Sequence, residues 1–181
     1  MFGQGSPGSP PLAAAVVHRA RDTLDDVGSE RVRDVIGTLA RLGLAAVFLV
    51  SGVLKAIDPD ATYVAVRAYD VLPRAGVALV AGVLPWLEIV LGLVLLAGVA
   101  TRAAAVVGAG LMLVFIAGVT QAWARGLSID CGCFGGGGAV DPDQTTYGSE
   151  LLRDAGFLLM AGWLVVRPRT LGVPGRQRER V

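Results

Sequence analysis

Cys131 and Cys133 are the only two cysteines of the 181-residue chain, and a single glycine, Gly132, separates them. Phe134 and four consecutive glycines, residues 135–138, follow at once. Two Cα atoms two positions apart lie at most ~7 Å from each other, and a disulfide spans ~4.4–6.8 Å between Cα atoms. The pair can therefore close into a disulfide if Gly132 bends the chain, and so small a ring favours an exchangeable bond. We predict thiol–disulfide chemistry here; the alternative is two cysteines that pack as small hydrophobic residues.

A zinc site is a weaker interpretation of the same cysteines. A closed zinc site needs four ligands. The chain has one histidine, His18, and several hydrophobic segments separate it from the cysteines. We therefore predict no metal.

The composition is that of a membrane protein. Hydrophobic residues make up 54% of the chain and charged residues only 17%, and the charges avoid several long apolar stretches. This pattern is typical of a protein embedded in a lipid bilayer. The net charge of +1 indicates no class of partner, and no basic patch interleaved with aromatic residues points to nucleic acid.

Four apolar segments are long enough to cross a bilayer as helices: residues 36–54, 77–99, 103–123 and a last one that begins at Ser149 or Glu150 and ends at Val166. The first, of about 19 residues, would measure ~28 Å at 1.5 Å per residue, close to the hydrocarbon thickness. We predict an all-α membrane protein with a four-transmembrane-helix bundle over residues 35–167. Residues 63–76 are predicted to form an amphipathic connection with tyrosines near the lipid headgroups.

The two ends of the chain are predicted to lie outside this bundle. Residues 1–34 form a cytoplasmic extension, whose first eleven residues are rich in Gly, Ser and Pro and should be disordered. Residues 12–33 mix apolar and charged side chains and are predicted to form a short interfacial helix. Residues 168–181 form a basic cytoplasmic tail.

Charged side chains within the apolar segments are the next candidates. Glu88 lies near the middle of the second segment, where a carboxylate costs on the order of 2.5–3.5 kcal/mol unless it is protonated or paired. Either the carboxylate handles protons or it pairs with a cation, Lys55, Arg41 or Arg153. Lys55 is expected at the membrane interface, and Arg41 is expected to snorkel. Arg153 and Asp154 fall in the first turn of the fourth segment, on the side where the cysteines lie.

The distribution of arginine predicts the orientation. Both ends and the short second loop are rich in arginine: Arg19, Arg21, Arg31, Arg33, Arg102, Arg167, Arg169, Arg176, Arg178 and Arg180. With four spans both termini share a side, which the positive-inside rule makes the cytoplasmic side of the plasma membrane. The cysteine loop then faces outward, where disulfides persist.

Five short motifs, in order across residues 35–166, resemble those of the MauE/DoxX family of redox-associated, four-helix membrane proteins, and most closely its MauE-like members of methylamine utilisation. The motifs are Ser51-Gly52-Val53-Leu54-Lys55 with Asp58-Pro59, Tyr69-Asp70-Val71-Leu72-Pro73, Leu84-Pro85-Trp86-Leu87-Glu88, Cys131-Gly132-Cys133-Phe134-Gly135 and Arg153-Asp154. The resemblance implies a membrane component of thiol–disulfide exchange that supports maturation of disulfide-containing proteins. It also implies a thioredoxin-like partner and a link to a membrane quinone.

The leading hypothesis is therefore a membrane thiol–disulfide oxidoreductase in which Cys131 and Cys133 cycle between dithiol and disulfide. The thiolate is the attacking species. A nearby cation, Arg153 or Arg125, would favour it, and Asp130 would oppose it. Which cysteine attacks is left open.

Onward electron transfer would engage the carboxylates. Glu88 or Asp154 would give protons to, or take them from, a membrane quinone bound near the helix ends.

Two other classes of function compete with this hypothesis. In the first, the protein is a non-catalytic assembly scaffold for a redox enzyme, the cysteine loop is a docking surface, and Glu88 with its cation fastens the helices together. In the second, the intramembrane carboxylate marks a small transporter, although the chain shows no inverted repeat. The oligomeric state and the direction of electron flow stay open.

Overall fold

The computed structural model describes the backbone of residues 12–171 and the side chains of residues 28–171. It is mostly helical, and its elements in chain order are α1 (Leu12–Ile57), α2 (Pro59–Ala68), α3 (Arg74–Ala97), α4 (Thr101–Ala124), β1 (Ile129–Asp130), β2 (Gly138–Ala139), a 3₁₀ turn (Pro142–Gln144) and α5 (Tyr147–Val166). The predicted disorder of residues 1–11 and most of the predicted basic tail, residues 172–181, lie outside the described residues.

Three helices in the described part of the chain are long and apolar enough to cross a membrane. They are the Gly28–Ile57 part of α1, the whole of α3 and the whole of α4. They correspond to the first three predicted segments, and they make this a membrane protein. α5 has 20 residues, or ~30 Å of helix, but it carries three charged residues near its start, Glu150, Arg153 and Asp154.

The predicted interfacial helix and the first predicted span belong to one helix. α1 is one continuous helix of 46 residues. The charged stretch before the apolar one contains no proline, and a single glycine such as Gly28 costs a helix only ~1 kcal/mol. The helix ends at Ile57 because Asp58 and Pro59 follow. There the Asp58 carboxylate accepts a hydrogen bond from Ala61 N, at 2.9 Å, and caps α2.

The long helices pack side by side around one core. α1 packs mainly on α3, α4 packs mainly on α5, and α1 also contacts α5. The core between them includes Leu44, Phe48, Leu95, Met112 and Leu164. These side chains come from four helices, so α5 is part of the bundle.

One end of the bundle is closed by contacts to the start of the apolar part of α1. Leu171 N donates to Thr38 Oγ1 at 2.8 Å. The prediction that Arg41 snorkels is wrong: Arg41 is buried, and its Nη1 donates to the carbonyl oxygens of Leu95 and Leu96 at 2.9 and 3.0 Å. These carbonyls belong to the last turn of α3, where helical carbonyls lack an intrahelical donor and a cation is favoured.

The other end of the bundle carries the cysteine loop. β1 pairs with β2 in antiparallel fashion, with Ile129 opposite Ala139 and Asp130 opposite Gly138. The chain between the two short strands contains both cysteines, and β2 also contacts α2. The cysteines thus lie in the connection of a small hairpin that α2 supports.

Candidate functional site

Glycine shapes the hairpin connection that carries the cysteines. Gly132 has a φ of +66°, a conformation that L side chains rarely adopt. A Cβ at this position would lie 2.7 Å from Cβ of Ala65 in α2, which is too close for two carbon atoms. The residue between the cysteines must therefore be a glycine if the loop is to lie against α2.

The two cysteines are unequal. Both are free thiols and half-buried. Cys131 Sγ accepts a hydrogen bond from Cys133 N at 3.4 Å and a second from Arg153 Nη2 at 3.6 Å. A hydrogen bond from the Cys133 thiol to Cys131 is the main cause that lowers the pKa of Cys131, with the backbone N–H and Arg153 adding to it. The same hydrogen bond, together with burial, raises the pKa of Cys133.

Arg153 is the cation at the sulfur. Its Nε and Nη2 also donate to Asp154 Oδ1, at 3.2 and 3.1 Å. Its guanidinium lies 5.1 Å from the ring centroid of Phe134, within the range of a cation–π contact. Arg125, the other cation considered from the sequence, donates instead to the carboxylate of Asp70 at 3.2 Å. The structure thus brings Arg153 and Asp154 to the cysteines.

Tyr69 holds the loop from the side of α2. Its hydroxyl donates to the carbonyl oxygen of Cys131 at 3.2 Å. Burial raises the pKa of Tyr69, so the phenol stays protonated and remains a donor. From the sequence, Tyr69 was assigned to the amphipathic connection near the headgroups and to a family motif, and its contact with the cysteine loop was not predicted.

A buried polar cluster lies beneath the loop. Lys55 Nζ lies 3.1 and 3.0 Å from the two carboxylate oxygens of Glu88, 3.2 Å from the carbonyl oxygen of Cys133, and also donates to Ser51 Oγ. Ser51 Oγ lies 2.7 Å from the same carbonyl oxygen of Cys133 and 3.1 Å from Glu88 Oε2. Lys55 is 7% exposed and Glu88 is 0% exposed, so both side chains lie inside the bundle. Of the three cations considered for Glu88, the structure pairs it with Lys55.

The close contact between α1 and α3 makes this pairing possible. A Cβ at Gly52, the neighbour of Ser51, would lie 2.8 Å from the carbonyl oxygen of Pro85. Because Gly52 has no side chain, the two helices approach closely at this level. Lys55 and Ser51, four residues apart on α1, then reach Glu88 on α3.

A small cavity of about 10 Å³ lies between the polar cluster and the loop. Four phenylalanines form much of its wall: Phe48, Phe115, Phe134 and Phe157. Its polar lining comes from Ser51, Glu88, Asp154 and Cys133. The cavity is thus too small for a quinone ring.

Glu150 is a site residue that the sequence reasoning missed. It lies one turn before Asp154 on α5 and is 5% exposed. Thr146 Oγ1 donates to its Oε1 at 3.2 Å, whereas Oε2 is buried without a hydrogen-bond partner among the described residues. The spacing of two acids four residues apart at the start of an apolar helix was the signal that could have identified it.

Within residues 28–171, the group that could hold a metal ion consists of Asp130, Cys131 and Glu150. One ligand atom of each lies within 4.8 Å of the others. Three ligands are one fewer than a closed zinc site needs, and Arg153 already donates to the sulfur of Cys131.

The comparisons with known proteins agree with this architecture. The family model described as methylamine utilisation protein MauE matches residues 33–167, which include the apolar helices, the cysteine hairpin and α5. A search of curated proteins and a search of solved structures each gave no match. The match covers most of the chain and confirms the resemblance found in the sequence: the chain belongs to the MauE family of membrane proteins, the methylamine utilisation proteins MauE.

Proposed function

We propose that this protein is a membrane thiol–disulfide oxidoreductase whose reactive group is the Cys131–Cys133 pair. The observation that carries the proposal is the asymmetry of the two thiols. Cys131 Sγ accepts hydrogen bonds from Arg153 Nη2 and from the backbone N–H of Cys133, and the pKa of Cys131 is lowered while that of Cys133 is raised. A thiolate stabilised by a cation, next to a second thiol, is the arrangement that disulfide exchange requires.

Cys131 is assigned the first attack. Its thiolate attacks a disulfide of a partner protein, so that a mixed disulfide forms and one partner sulfur leaves as a thiolate. Cys133 then attacks the Cys131 sulfur, forming the Cys131–Cys133 disulfide and releasing the second partner sulfur. Two thiols of this chain are oxidised and one partner disulfide is reduced; in the reverse direction the pair oxidises a partner dithiol.

The partner that we propose is an extracytoplasmic thioredoxin-like protein, through which the pair supports maturation of disulfide-containing proteins in methylamine utilisation. Family membership supports the pathway. The half-buried cysteines at the end of the bundle support a protein partner, because the loop presents the thiols at a surface. An exposed Phe134 beside Arg153 adds an apolar contact next to the reacting sulfur.

We also propose that α5 is a fourth span, with both termini cytoplasmic and the cysteine loop outside the cytoplasm. Two features of α5 support this topology. Its acids Glu150 and Asp154 are buried, whereas Leu152, Leu159 and Val166 are exposed along its whole length. It also runs from the cysteine loop to the opposite end of the bundle, where the chain that follows it contacts Thr38. A helix with polar groups inside and apolar groups outside is suited to lipid.

A membrane quinone is the proposed electron partner on the lipid side, because it is a two-electron carrier that dissolves in the bilayer. The cavity near Cys133 does not admit a quinone ring. A quinone would have to bind where the apolar surface near the loop meets lipid, beside Leu54, Ile57 and Phe134. Reduction of a short-chain quinone analogue by the reduced protein, absent in C131S, is the measurement that checks this part.

The test of the proposed function is the redox state of the pair in native membranes. Membranes are treated with a thiol-alkylating reagent of high mass, with and without prior reduction, and the protein is analysed by gel shift. We expect a reductant-dependent shift of two alkyl groups in the wild type. C133S should accumulate a mixed disulfide with its partner, whereas C131S should not. A pair that is reduced under all conditions, with no mixed disulfide in C133S, contradicts the proposal.

The scaffold is a second candidate, and one observation favours it. The buried cluster of Lys55, Ser51 and Glu88 binds the backbone carbonyl of Cys133 and not its sulfur, so it would hold the loop in shape even without the thiols. The double variant C131S/C133S separates the two functions. A scaffold predicts normal maturation of the partner enzyme in this variant, and an oxidoreductase predicts its loss.

A further inference from the structure

One carboxylate oxygen of Asp154 is buried without a hydrogen-bond partner among the described residues. The residue is 3% exposed. Its Oδ1 accepts both hydrogen bonds from Arg153. Its Oδ2 is buried and has no hydrogen-bond partner within the part of the chain that the structure describes. An unpartnered buried carboxylate oxygen is costly and therefore marks a position that calls for a functional explanation.

Cys133 is the group nearby that needs a base. It must lose its proton before its sulfur can attack Cys131. In the reduced pair the hydrogen bond to Cys131 and burial raise the pKa of Cys133, and the burial remains when Cys131 is in the mixed disulfide. Asp154 and Cys133 line the same small cavity. The two groups are also close enough for the charge of Asp154 to contribute to the raised pKa of Cys133.

The other acids near the cysteines are less suited to this role. Both oxygens of Glu88 already accept hydrogen bonds from Lys55. Glu150 lies beside Cys131 and Asp130 rather than in the cavity with Cys133. Asp154 therefore combines an unpartnered carboxylate oxygen with a position in the lining of the same cavity as Cys133.

We propose that Asp154 is the general base that removes the proton of the Cys133 thiol when Cys133 resolves the mixed disulfide. This inference rests on the proposed function and adds a residue to it. The S–H bond of Cys133 breaks and its electron pair forms the bond to the Cys131 sulfur. The Cys131–partner bond breaks, and the partner sulfur leaves as a thiolate. The proton ends on Asp154 Oδ2, and in the reverse reaction Asp154 returns it.

The experiment follows the two steps separately. Reduced full-length protein in detergent is mixed with glutathione disulfide and quenched with acid. Mass spectrometry then measures the glutathione adduct on Cys131 and the internal disulfide. In the wild type the adduct should be transient. In D154N it should form at a rate within a few-fold of wild type but resolve about 100-fold more slowly, the usual effect of losing a general base.

Two variants bracket the result. C133S should retain the adduct, because it lacks the resolving thiol. D143N removes an exposed acid from the turn after the hairpin and should resolve the adduct at the wild-type rate. Resolution in D154N as fast as in D143N overturns the inference. Absence of any adduct in the wild type instead overturns the proposed function on which the inference rests.

Two further variants cover the case in which D154N does not fold. D154E keeps a carboxylate and should resolve the adduct within about tenfold of the wild-type rate, whereas D154S is a second neutral variant and should resolve it about 100-fold more slowly than the wild type. Resolution in D154S at the wild-type rate overturns the inference.

Discussion

At the scale of single residues, the chemistry of this protein depends on the difference between two sulfurs that are two positions apart. The Cys133 backbone N–H and the Arg153 guanidinium both donate to the sulfur of Cys131. The sequence alone does not determine this asymmetry, since either cysteine of a Cys-Gly-Cys segment could face a cation. The asymmetry depends on the left-handed backbone of Gly132, which turns the N–H of Cys133 towards the sulfur of Cys131.

The first prediction is that the two thiols ionise in a fixed order. Alkylation requires the thiolate, and the pKa of Cys131 is lowered while that of Cys133 is raised. As pH rises, Cys131 should therefore reach half of its maximal alkylation rate below the value of ~8.5 for a free cysteine, and Cys133 above it. Site-resolved mass spectrometry of the reduced protein, after short pulses of iodoacetamide at a series of pH values, measures both midpoints.

Arg153 supplies the control for this prediction. R153Q removes a cation that lies 3.6 Å from the Cys131 sulfur, so the midpoint for Cys131 should move towards higher pH. R125Q removes an arginine that pairs with Asp70 and should leave both midpoints unchanged. Equal midpoints for the two cysteines, or an equal shift in the two arginine variants, would contradict the assigned order.

At the scale of elements, the contact between the hairpin and α2 should be intolerant of a side chain at Gly132. In G132A the alanine must adopt a positive φ, and its Cβ would lie 2.7 Å from Cβ of Ala65. G126A provides a matched control, because Gly126 has a nearly equal φ of +68° with nothing within 4 Å of the added Cβ. Both variants should lose ~1–2 kcal/mol to backbone strain, and G132A should lose more. Thermal unfolding in detergent compares them, and equal losses would show that the hairpin does not lie against α2.

The buried ion pair between α1 and α3 gives the next prediction. Removing one partner leaves the other charge buried without compensation, so K55M or E88L should each destabilise the protein by about 3–5 kcal/mol. The double variant K55M/E88L removes both charges and should recover most of that loss, since Ser51 can still donate to the Cys133 carbonyl oxygen. Unfolding titrations of the four proteins form a double-mutant cycle.

The exposed pair of Arg125 and Asp70 is the reference for that cycle. The Asp70 side chain is 80% exposed, and Asn tolerates the positive φ of this position as well as Asp does. D70N should therefore change stability by less than ~1 kcal/mol. If K55M behaves like D70N, the charges of Lys55 and Glu88 are solvated and the pairing is wrong.

The elements show where prediction from sequence succeeds and where it stops. α3 and α4 were located to within a few residues, because a continuous apolar run is a direct consequence of burial in lipid. The continuity of α1 was missed because a rise in charge was interpreted as a break in the helix. The partner of Glu88 was narrowed to three cations and no further, since the choice depends on which faces of two helices meet at Gly52.

The same limit applies to the candidate site. The sequence predicted that both cysteines form the site. It also predicted that Arg153 and Asp154 lie near them, because the loop directly precedes the fourth segment. It did not identify Glu150, whose burial depends on the packing of α5. The contact of the Tyr69 hydroxyl with the loop depends on how α2 folds back, which no local pattern specifies.

At the scale of the whole molecule, the bundle has two different ends, and the orientation decides the chemistry. One end carries the cysteine hairpin. The other holds the Arg41 contact with the end of α3 and the contact of Leu171 with Thr38. Thiols at the outer end would meet an oxidising environment, whereas thiols at the inner end would be kept reduced. Three apolar spans alone would leave the two ends of the chain on opposite sides, so the status of α5 is the deciding question.

The last prediction settles that question by labelling. In the C131S/C133S background, single cysteines are introduced at three exposed positions, D141C beyond the hairpin, V99C between α3 and α4, and L171C after α5. A membrane-impermeant maleimide should label D141C in intact cells, and it should label V99C and L171C only after lysis. This pattern follows if α5 crosses the bilayer with its acids buried in the bundle and its leucines in lipid. Labelling of L171C together with D141C in intact cells would show that α5 does not cross the bilayer. Labelling of V99C but not of D141C in intact cells would show that the cysteines face the cytoplasm.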